Sequence, residues 1–249
     1  MLRVSIIQTA IIWENPLENL ENLTQKINQL LPTDVVVLPE MFTTGFTMQP
    51  EKVAETMQGT TVHWMREMAQ KKQIALIGSL VITENNRFYN RLIVALPTDE
   101  VLVYDKRHLF SYAGENHVYT AGNERLTFDF KGFKICPLIC YDLRFPVFSR
   151  NTVAYDVLLY VANWPQKRLL AWNTLLKARA IENMCYVVAV NRIGECPNEL
   201  YNGHSQIVDY VGNYIVEPFE NEEIKTILLH KKPQEEARKT FGFLKDRDL

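Results

Sequence analysis

The sequence predicts an α/β fold, a single domain built on a large mixed sheet. Three observations carry that expectation. The first 40 residues follow a strand–helix–strand pattern. Strand-like runs then recur too often for two small independent domains. No Ser/Gly/Pro-rich stretch or shift in composition marks a linker. The expected unit is one domain over 1–249, with its core at about 2–230 and a tail at 231–249.

Residues 2–9 alternate with Val4 and Ile6 on one face, as a strand does. Asn15 then offers an N-cap, Pro16 a first-turn proline and Glu18 a capping-box acid. A helix should run from there to about Leu31, with Leu17, Leu20, Ile27, Leu30 and Leu31 at helical spacing. The continuous apolar run at 34–39 reads as a strand covered on both faces. A second helix is expected over 60–72, followed by strands at 74–82, 88–96 and 101–105. Lys131-Gly132 marks a turn between strands at 126–130 and 133–139, and 156–162 is a further buried strand. The stretch 166–184 carries Leu169, Trp172, Leu176 and Ala180 on one helical face, with a strand at 185–191 after it. Strands near 204–210, 213–217 and 224–230 complete the core, and the polar tail from Lys232 reads as a short helix. The likeness of Val-Val-Val-Leu-Pro-Glu (35–40) to Leu-Leu-Tyr-Val-Ala-Asn (158–163) is too short to establish an internal duplication.

Composition narrows the function. Lys and Arg number 27 against 29 Asp and Glu, for a net charge of −2, and no basic run exceeds a pair such as Lys71-Lys72 or Lys231-Lys232. Neither a nucleic acid nor an anionic membrane is therefore expected as a partner; a small molecule is. No apolar stretch nears the roughly 20 residues a spanning helix needs. The N-terminus lacks the long apolar core of a signal peptide, which points to the cytoplasm. Four cysteines, Cys136, Cys140, Cys185 and Cys196, are too few for a disulfide scaffold in a chain of this size, so free thiols are expected.

Three apolar runs lead straight into a reactive side chain: 35–39 into Glu40, 101–105 into Lys106, and 133–139 into Cys140. Open α/β sheets place ligands at strand ends. If these ends share one edge of the sheet, a carboxylate, an ammonium and a thiol meet in a partly dry pocket, the set that amide hydrolysis requires. Glu40 would take the Cys140 proton, return it to departing ammonia and then activate water. Lys106 and the backbone N–H after Cys140 would stabilise the oxyanion, one such donor being worth about 3–4 kcal/mol. Each member also has a plainer explanation. A lone Cys in an apolar strand is more often a small buried hydrophobe, and a Glu or Lys at a strand end is by default a solvated charge. Cys136 and Cys185 read as packing and Cys196 as loop; position alone sets Cys140 apart.

Longer segments around these residues resemble a known family. Glu40 within Val-Val-Leu-Pro-Glu-Met-Phe, Lys106 within Tyr-Asp-Lys-Arg-His-Leu-Phe and Cys140 within Ile-Cys-Tyr-Asp-Leu-Arg-Phe-Pro are similar to the three signature segments of the nitrilase (carbon–nitrogen hydrolase) superfamily. Ser-Tyr-Ala-Gly-Glu-Asn-His (111–117), Ala-Asn-Trp-Pro (162–165), Leu-Lys-Ala-Arg-Ala-Ile-Glu-Asn (176–183) and Tyr-Asn-Gly-His-Ser (201–205) fit the same family. Among its subfamilies they most resemble the bacterial ω-amidases that act on 2-oxo-acid monoamides. The resemblance implies a four-layer α-β-β-α sandwich with the Glu–Lys–Cys set at its strand ends, and pairing of two sandwiches into a homodimer. It also implies a second glutamate beside the lysine, which maps onto Glu115. That residue would hold Lys106 charged and oriented while helping to position the amide; without the resemblance it reads as a loop acid. The implied reaction converts 2-oxoglutaramate or 2-oxosuccinamate and water to the dicarboxylate and ammonia through a Cys thioester, and no cofactor or metal is expected. Two departures stand out. Met184 occupies a place where this branch commonly has Gln, and Glu-Cys-Pro-Asn-Glu at 195–199 replaces a glycine-rich loop, which bears on pocket shape.

Such a substrate carries a carboxylate, and planar bidentate recognition favours Arg, pointing to Arg144 just after the nucleophile and Arg168 after Asn-Trp-Pro. Tyr141 is a further candidate contact, and Phe42, Tyr119, Trp164 and Phe145 are candidate apolar walls. Other readings compete. An amidase of the same superfamily for aliphatic amides or N-carbamoyl amines would share every catalytic residue. A non-catalytic small-molecule sensor on the same fold is another, against which the intact Glu–Lys–Cys set argues. A Cys–His hydrolase would use His108, His117 or His204 as the thiol base, but the short motifs of that class are missing. Zinc at Cys136-x-x-x-Cys140 lacks a second suitably spaced pair.

Overall fold

The computed structural model describes residues 1–197 and 199–248. Asn198, inside the 195–199 segment, and Leu249, the end of the tail, lie outside the described residues. In chain order the elements are β1 (Leu2–Gln8), α1 (Pro16–Asn28), β2 (Val35–Val37), α2 (Thr60–Lys72), β3 (Ala75–Glu84), β4 (Arg87–Ala95) and β5 (Val101–Asp105). The one-turn helix α3 (Glu115–Val118), β6 (Phe128–Phe130), β7 (Phe133–Ile139), the one-turn helix α4 (Pro146–Ser149), β8 (Val157–Ala162), α5 (Leu169–Asn183) and β9 (Tyr186–Asn191) follow. The chain ends with β10 (Ile193–Cys196), β11 (Glu199–Asn202), β12 (Ser205–Val208), β13 (Tyr214–Phe219), β14 (Glu223–Leu229) and α6 (Lys231–Phe241).

The one large sheet expected from the sequence is instead two six-stranded sheets, β14-β1-β2-β3-β4-β5 and β13-β12-β9-β8-β7-β6. A strand's pattern shows that both its faces are covered but not which sheet covers them. Val35 and Val37 enter the core between the sheets with Val4, Ile6, Ile77 and Leu138. Val36, on the opposite face, packs with Ile7, Leu20, Leu23 and Ile27 and with Met65 of α2. Trp172, Leu176 and Ala180 of α5 are continuous with the core of the second sheet. The architecture is a four-layer α-β-β-α sandwich.

Both sheets repeat one topology. β1, β2 and β3 are parallel in order, continue antiparallel into β4 and β5, and are flanked beside β1 by antiparallel β14. β7, β8 and β9 are likewise parallel, continue antiparallel into β12 and β13, and are flanked by antiparallel β6. The short likeness between 35–40 and 158–163 falls on the second parallel strand of each repeat. Because two antiparallel steps separate β5 from β3, β5 and β2 run the same way and end on one edge.

Two local departures have identifiable causes, and the tail follows its expected form. α1 begins as expected, with the Asn15 side chain accepting from Glu18 N at 3.4 Å, but it ends at Asn28. Pro32 disfavours helical backbone at Leu31, so the last turn closes early and Leu31 is exposed. The buried stripe is Leu20, Leu23 and Ile27, and Leu17 faces solvent. Cys196, expected in a loop, ends β10 and Glu199 opens β11; the two strands pair as a separate ribbon apart from both six-stranded sheets, with no regular burial alternation. The tail forms α6, docked where Gln234 Nε2 donates to Asp156 O at 2.8 Å and Arg238 Nε donates to Met184 O at 2.9 Å. Among the described residues, no helix is long and apolar enough to cross a membrane.

Candidate active site

Glu40 and Lys106 come from one sheet and Cys140 from the other, so the three strand ends meet across the sandwich instead of sharing one edge of a sheet. Glu40 lies three residues beyond β2, Lys106 directly follows β5 and Cys140 directly follows β7. Glu40 and Glu115 have no exposed surface, and Lys106 has 1%. Cys140 has φ +44°, a left-handed backbone unusual outside glycine, and it opens a 3₁₀ turn over Cys140–Arg144. Asp142 supports that geometry. Its Oδ2 accepts from Ile139 N at 3.0 Å and from the Tyr104 hydroxyl at 2.7 Å, and its Oδ1 accepts from His108 N at 3.0 Å. One buried carboxylate therefore ties the residue before the nucleophile to both flanks of Lys106.

The Lys106 ammonium is held by two carboxylates. Nζ donates to Glu40 Oε1 at 2.9 Å and to Glu115 Oε1 and Oε2 at 3.1 and 3.0 Å. Burial alone would push the ammonium down, but the charges of Glu115 and Glu40 more than offset it and hold Lys106 protonated, well above its ordinary range. Burial raises the Glu115 carboxyl, opposed by Lys106 and reinforced by Glu40. Burial likewise pushes the Cys140 thiol well above its ordinary range; the Glu40 charge adds to this and Lys106 opposes it. The nucleophile therefore rests as a thiol, its Sγ 3.9 Å from Asn163 O, and needs a base to become reactive.

The two oxygens of Glu40 differ. Oε1 accepts from both Lys106 Nζ and Asn90 Nδ2, the latter at 2.8 Å, whereas Oε2 accepts from Asn163 N at 2.7 Å. Oε2, with one such donor against two, is the oxygen better able to take a proton. Asn90 Nδ2 also reaches Glu115 Oε1 at 3.3 Å, so a neutral donor bridges the two acids that share the lysine.

Lys106, Cys140, Tyr141, Arg144, Trp164 and Arg168 line a cavity of about 70 Å³. Glu40 and Glu115 stand behind its wall, bonded to Lys106. Phe46, Phe110, Ala113, Asn163, Pro165, Glu199 and Tyr201 complete the lining where sequence reasoning named no contact. Phe110, Asn163 and Tyr201 lie inside segments that carried the family resemblance, whereas Phe46 lies in a loop that no periodicity marks. Phe42, Tyr119 and Phe145 are not brought to this wall. Phe42 packs on Trp64, with ring centroids 6.1 Å apart. The Tyr119 hydroxyl donates to Thr47 O at 2.8 Å. Phe145 stacks on His108 at 3.8 Å.

No histidine lines the cavity among the described residues. His108 Nδ1 lies 2.8 Å from Asp142 Oδ1, and His204 pairs with Asn173 and Glu220, so neither serves as a base for Cys140. All four cysteines are free. Cys136 and Cys185 are buried in the core, and no group of three or more His, Cys, Asp or Glu among the described residues is placed to hold a metal ion.

Gly122 is a sensitive point of this frame. Its N–H donates to Lys106 O at 3.0 Å, and a Cβ added there would sit 2.3 Å from Asp105 O. Gly122→Ala must displace the end of β5 and Lys106 with it. The expected result is a loss of about 1–3 kcal/mol in urea unfolding, with activity per folded molecule falling as well.

A family profile described as carbon-nitrogen hydrolase matches residues 3–238. The chain is 41% identical over 215 residues to the omega-amidase YafV of Escherichia coli (strain K12), covering 86% of this chain and 84% of that protein. It is 33% identical over 249 residues to the 2-oxoglutaramate amidase of Bacillus subtilis (strain 168), covering 98% and 96%. At 41% identity it superimposes with a TM-score of 0.97, over 100% of this chain and 97% of the other, on XC1258 from Xanthomonas campestris. That protein is a CN-hydrolase superfamily member whose crystal structure carries an arsenic adduct in the active site.

Proposed function

This chain belongs to the carbon–nitrogen hydrolase family and is a hydrolase of carbon–nitrogen bonds, and on that premise we propose that it releases ammonia from the terminal amide of a small 2-oxo-acid monoamide, as a cytoplasmic homodimer. The observation that carries this substrate class is Arg168. Its guanidinium lies 5.1 and 5.2 Å from the ring centres of Phe110 and Tyr112, and its Nη1 is buried with no hydrogen-bond partner. A cation stacked on rings keeps its N–H edge for a planar acceptor, and a carboxylate is the best match. Arg144, over the Trp164 ring at 5.1 Å, also lines the cavity but is exposed, so Arg168 is the favoured anchor. The E. coli and B. subtilis relatives support the same class by their names.

In this reading Glu40 Oε2 takes the thiol proton while Sγ attacks the amide carbon. The oxyanion is met by the Tyr141 N–H, which lies in the first turn of the 3₁₀ segment and so has no partner within it, and by Lys106, which shifts one donor away from a carboxylate. Glu40 returns the proton to the departing nitrogen, ammonia leaves, and a Cys140 thioester remains. A water then gives its proton to Glu40 and attacks the thioester carbon, releasing the dicarboxylate and the thiol. Glu115 keeps Lys106 charged throughout.

Ammonia release should be measured on 2-oxoglutaramate, 2-oxosuccinamate, glutamine, simple aliphatic amides, a nitrile and a carbamoyl amine. The 2-oxo-acid monoamides are expected to lead in kcat/KM. Arg168→Ala should raise KM for them by about 10–100-fold, the usual cost of a lost charge-assisted contact, and should affect neutral amides far less. A clear lead for the nitrile or the carbamoyl amine overturns the substrate class.

A further inference from the structure

Building on the amidase reading, we infer that Asn163 reads the substrate's amide nitrogen: its side-chain oxygen accepts a hydrogen bond from the departing –NH₂ and so selects amides over esters of the same acid.

Asn163 follows β8, is 4% exposed, and lines the cavity beside Cys140 and Lys106. Three of its four polar groups are committed. Its N–H donates to Glu40 Oε2 at 2.7 Å, its Nδ2 donates to Glu40 O at 2.6 Å, and its carbonyl lies 3.9 Å from Cys140 Sγ as acceptor of the thiol. The fourth, Oδ1, is buried and has no hydrogen-bond partner. The orientation of this amide is fixed by chemistry. A backbone carbonyl only accepts, so the group against Glu40 O must be the NH₂, and the oxygen is the atom left unmatched.

The reaction itself places the leaving nitrogen near that oxygen. The carbon bearing it must bond to Cys140 Sγ, and its lone pair must take the proton that Glu40 returns. Both groups touch the main chain of Asn163. In the tetrahedral intermediate the nitrogen keeps two N–H bonds that the returning proton does not use, and these need acceptors. The neighbouring acids are largely occupied: Glu115 by Lys106, Asn90 and Phe110 N, and Glu40 Oε1 by Lys106 and Asn90. Asn90 Oδ1 is also unpaired, but Asn90 does not line the cavity; Asn163 does, and a bond from –NH₂ to its Oδ1 turns the lone pair toward Glu40. An ester brings no hydrogen on its leaving atom and leaves Oδ1 unpaired, which is how a site built for an N–H rejects the analogue lacking it.

The test compares 2-oxoglutaramate with the 5-methyl ester of 2-oxoglutarate in the wild type, Asn163→Ala and Asn163→Ser. The readout is the ratio of the two kcat/KM values from one sample, which is independent of the fraction of folded enzyme. Serine keeps a hydroxyl able to donate to Glu40 O but has no carbonyl, so it separates holding Glu40 from reading the nitrogen. The amide-to-ester ratio is expected to fall about 10-fold or more in both variants, with the ester rate better preserved in Asn163→Ser. A ratio within a factor of about three of the wild type, or loss of both activities together, overturns the inference. If the wild type turns over neither 2-oxo compound, the proposed substrate class fails on its own. The same ratio is then read on propionamide and methyl propionate.

Discussion

Cys140→Ala is expected to release no measurable ammonia from any amide, a fall of about 10⁴-fold or more in kcat, while keeping the wild-type fold. The argument is local. The residue is nearly buried and sits at φ +44°, a conformation alanine meets with the same strain as cysteine, so the 3₁₀ turn held by Asp142 has no reason to rearrange. Truncation removes one sulfur and its 3.9 Å contact with Asn163 O. The cost in thermal unfolding should therefore be small, about 1 kcal/mol or less. The chemistry, by contrast, has no substitute, because no other thiol and no hydroxyl nucleophile of Ser or Thr lines the cavity among the described residues. Ammonia release and circular dichroism on the same preparation check both halves. Substrate binding by calorimetry should survive in the variant. A wild type that binds stoichiometrically without turnover would instead favour the sensor reading on this fold.

The way the sequence encodes this site explains what could be read from it. Glu40, Lys106 and Cys140 each end an apolar run, and a polar residue at such a boundary is visible in one dimension. Which sheet each run joins depends on long-range pairing, so the meeting of two sheets across the site was not visible. Asn90 is a polar residue inside β4, where a two-residue period suggests a solvated face, yet it is fully buried between two carboxylates. Phe42 and Tyr119 are aromatic neighbours of the right segments that point into packing, and only coordinates separate a wall from a core. Glu115 became a candidate only through family resemblance, because nothing in a short loop helix announces a buried acid. The topological repeat adds one more relation: aligning 35–40 with 158–163 matches Glu40 to Asn163, and these two are bonded to each other across the sheets.

Glu40→Gln separates the two jobs of the carboxylate, because it moves two observables in opposite directions. Gln has nearly the shape of Glu and can still accept from Lys106 and Asn90, but it cannot take the thiol proton or return it to nitrogen. Amide hydrolysis is expected to fall by about 10²–10⁴-fold, the usual contribution of a positioned acid–base group. The thiol itself should become easier to ionise. The Glu40 charge helps to hold Cys140 protonated, and removing it leaves burial opposed by the Lys106 charge, so the thiol's titration moves down in pH. Iodoacetamide alkylation should then reach a given rate at a lower pH in Glu40→Gln than in the wild type, even as hydrolysis collapses. A Cys–His enzyme would show neither change, since its base lies elsewhere. Alkylation that slows in step with hydrolysis would mean that Glu40 maintains a preformed thiolate, contrary to the resting thiol derived from the burial of Cys140.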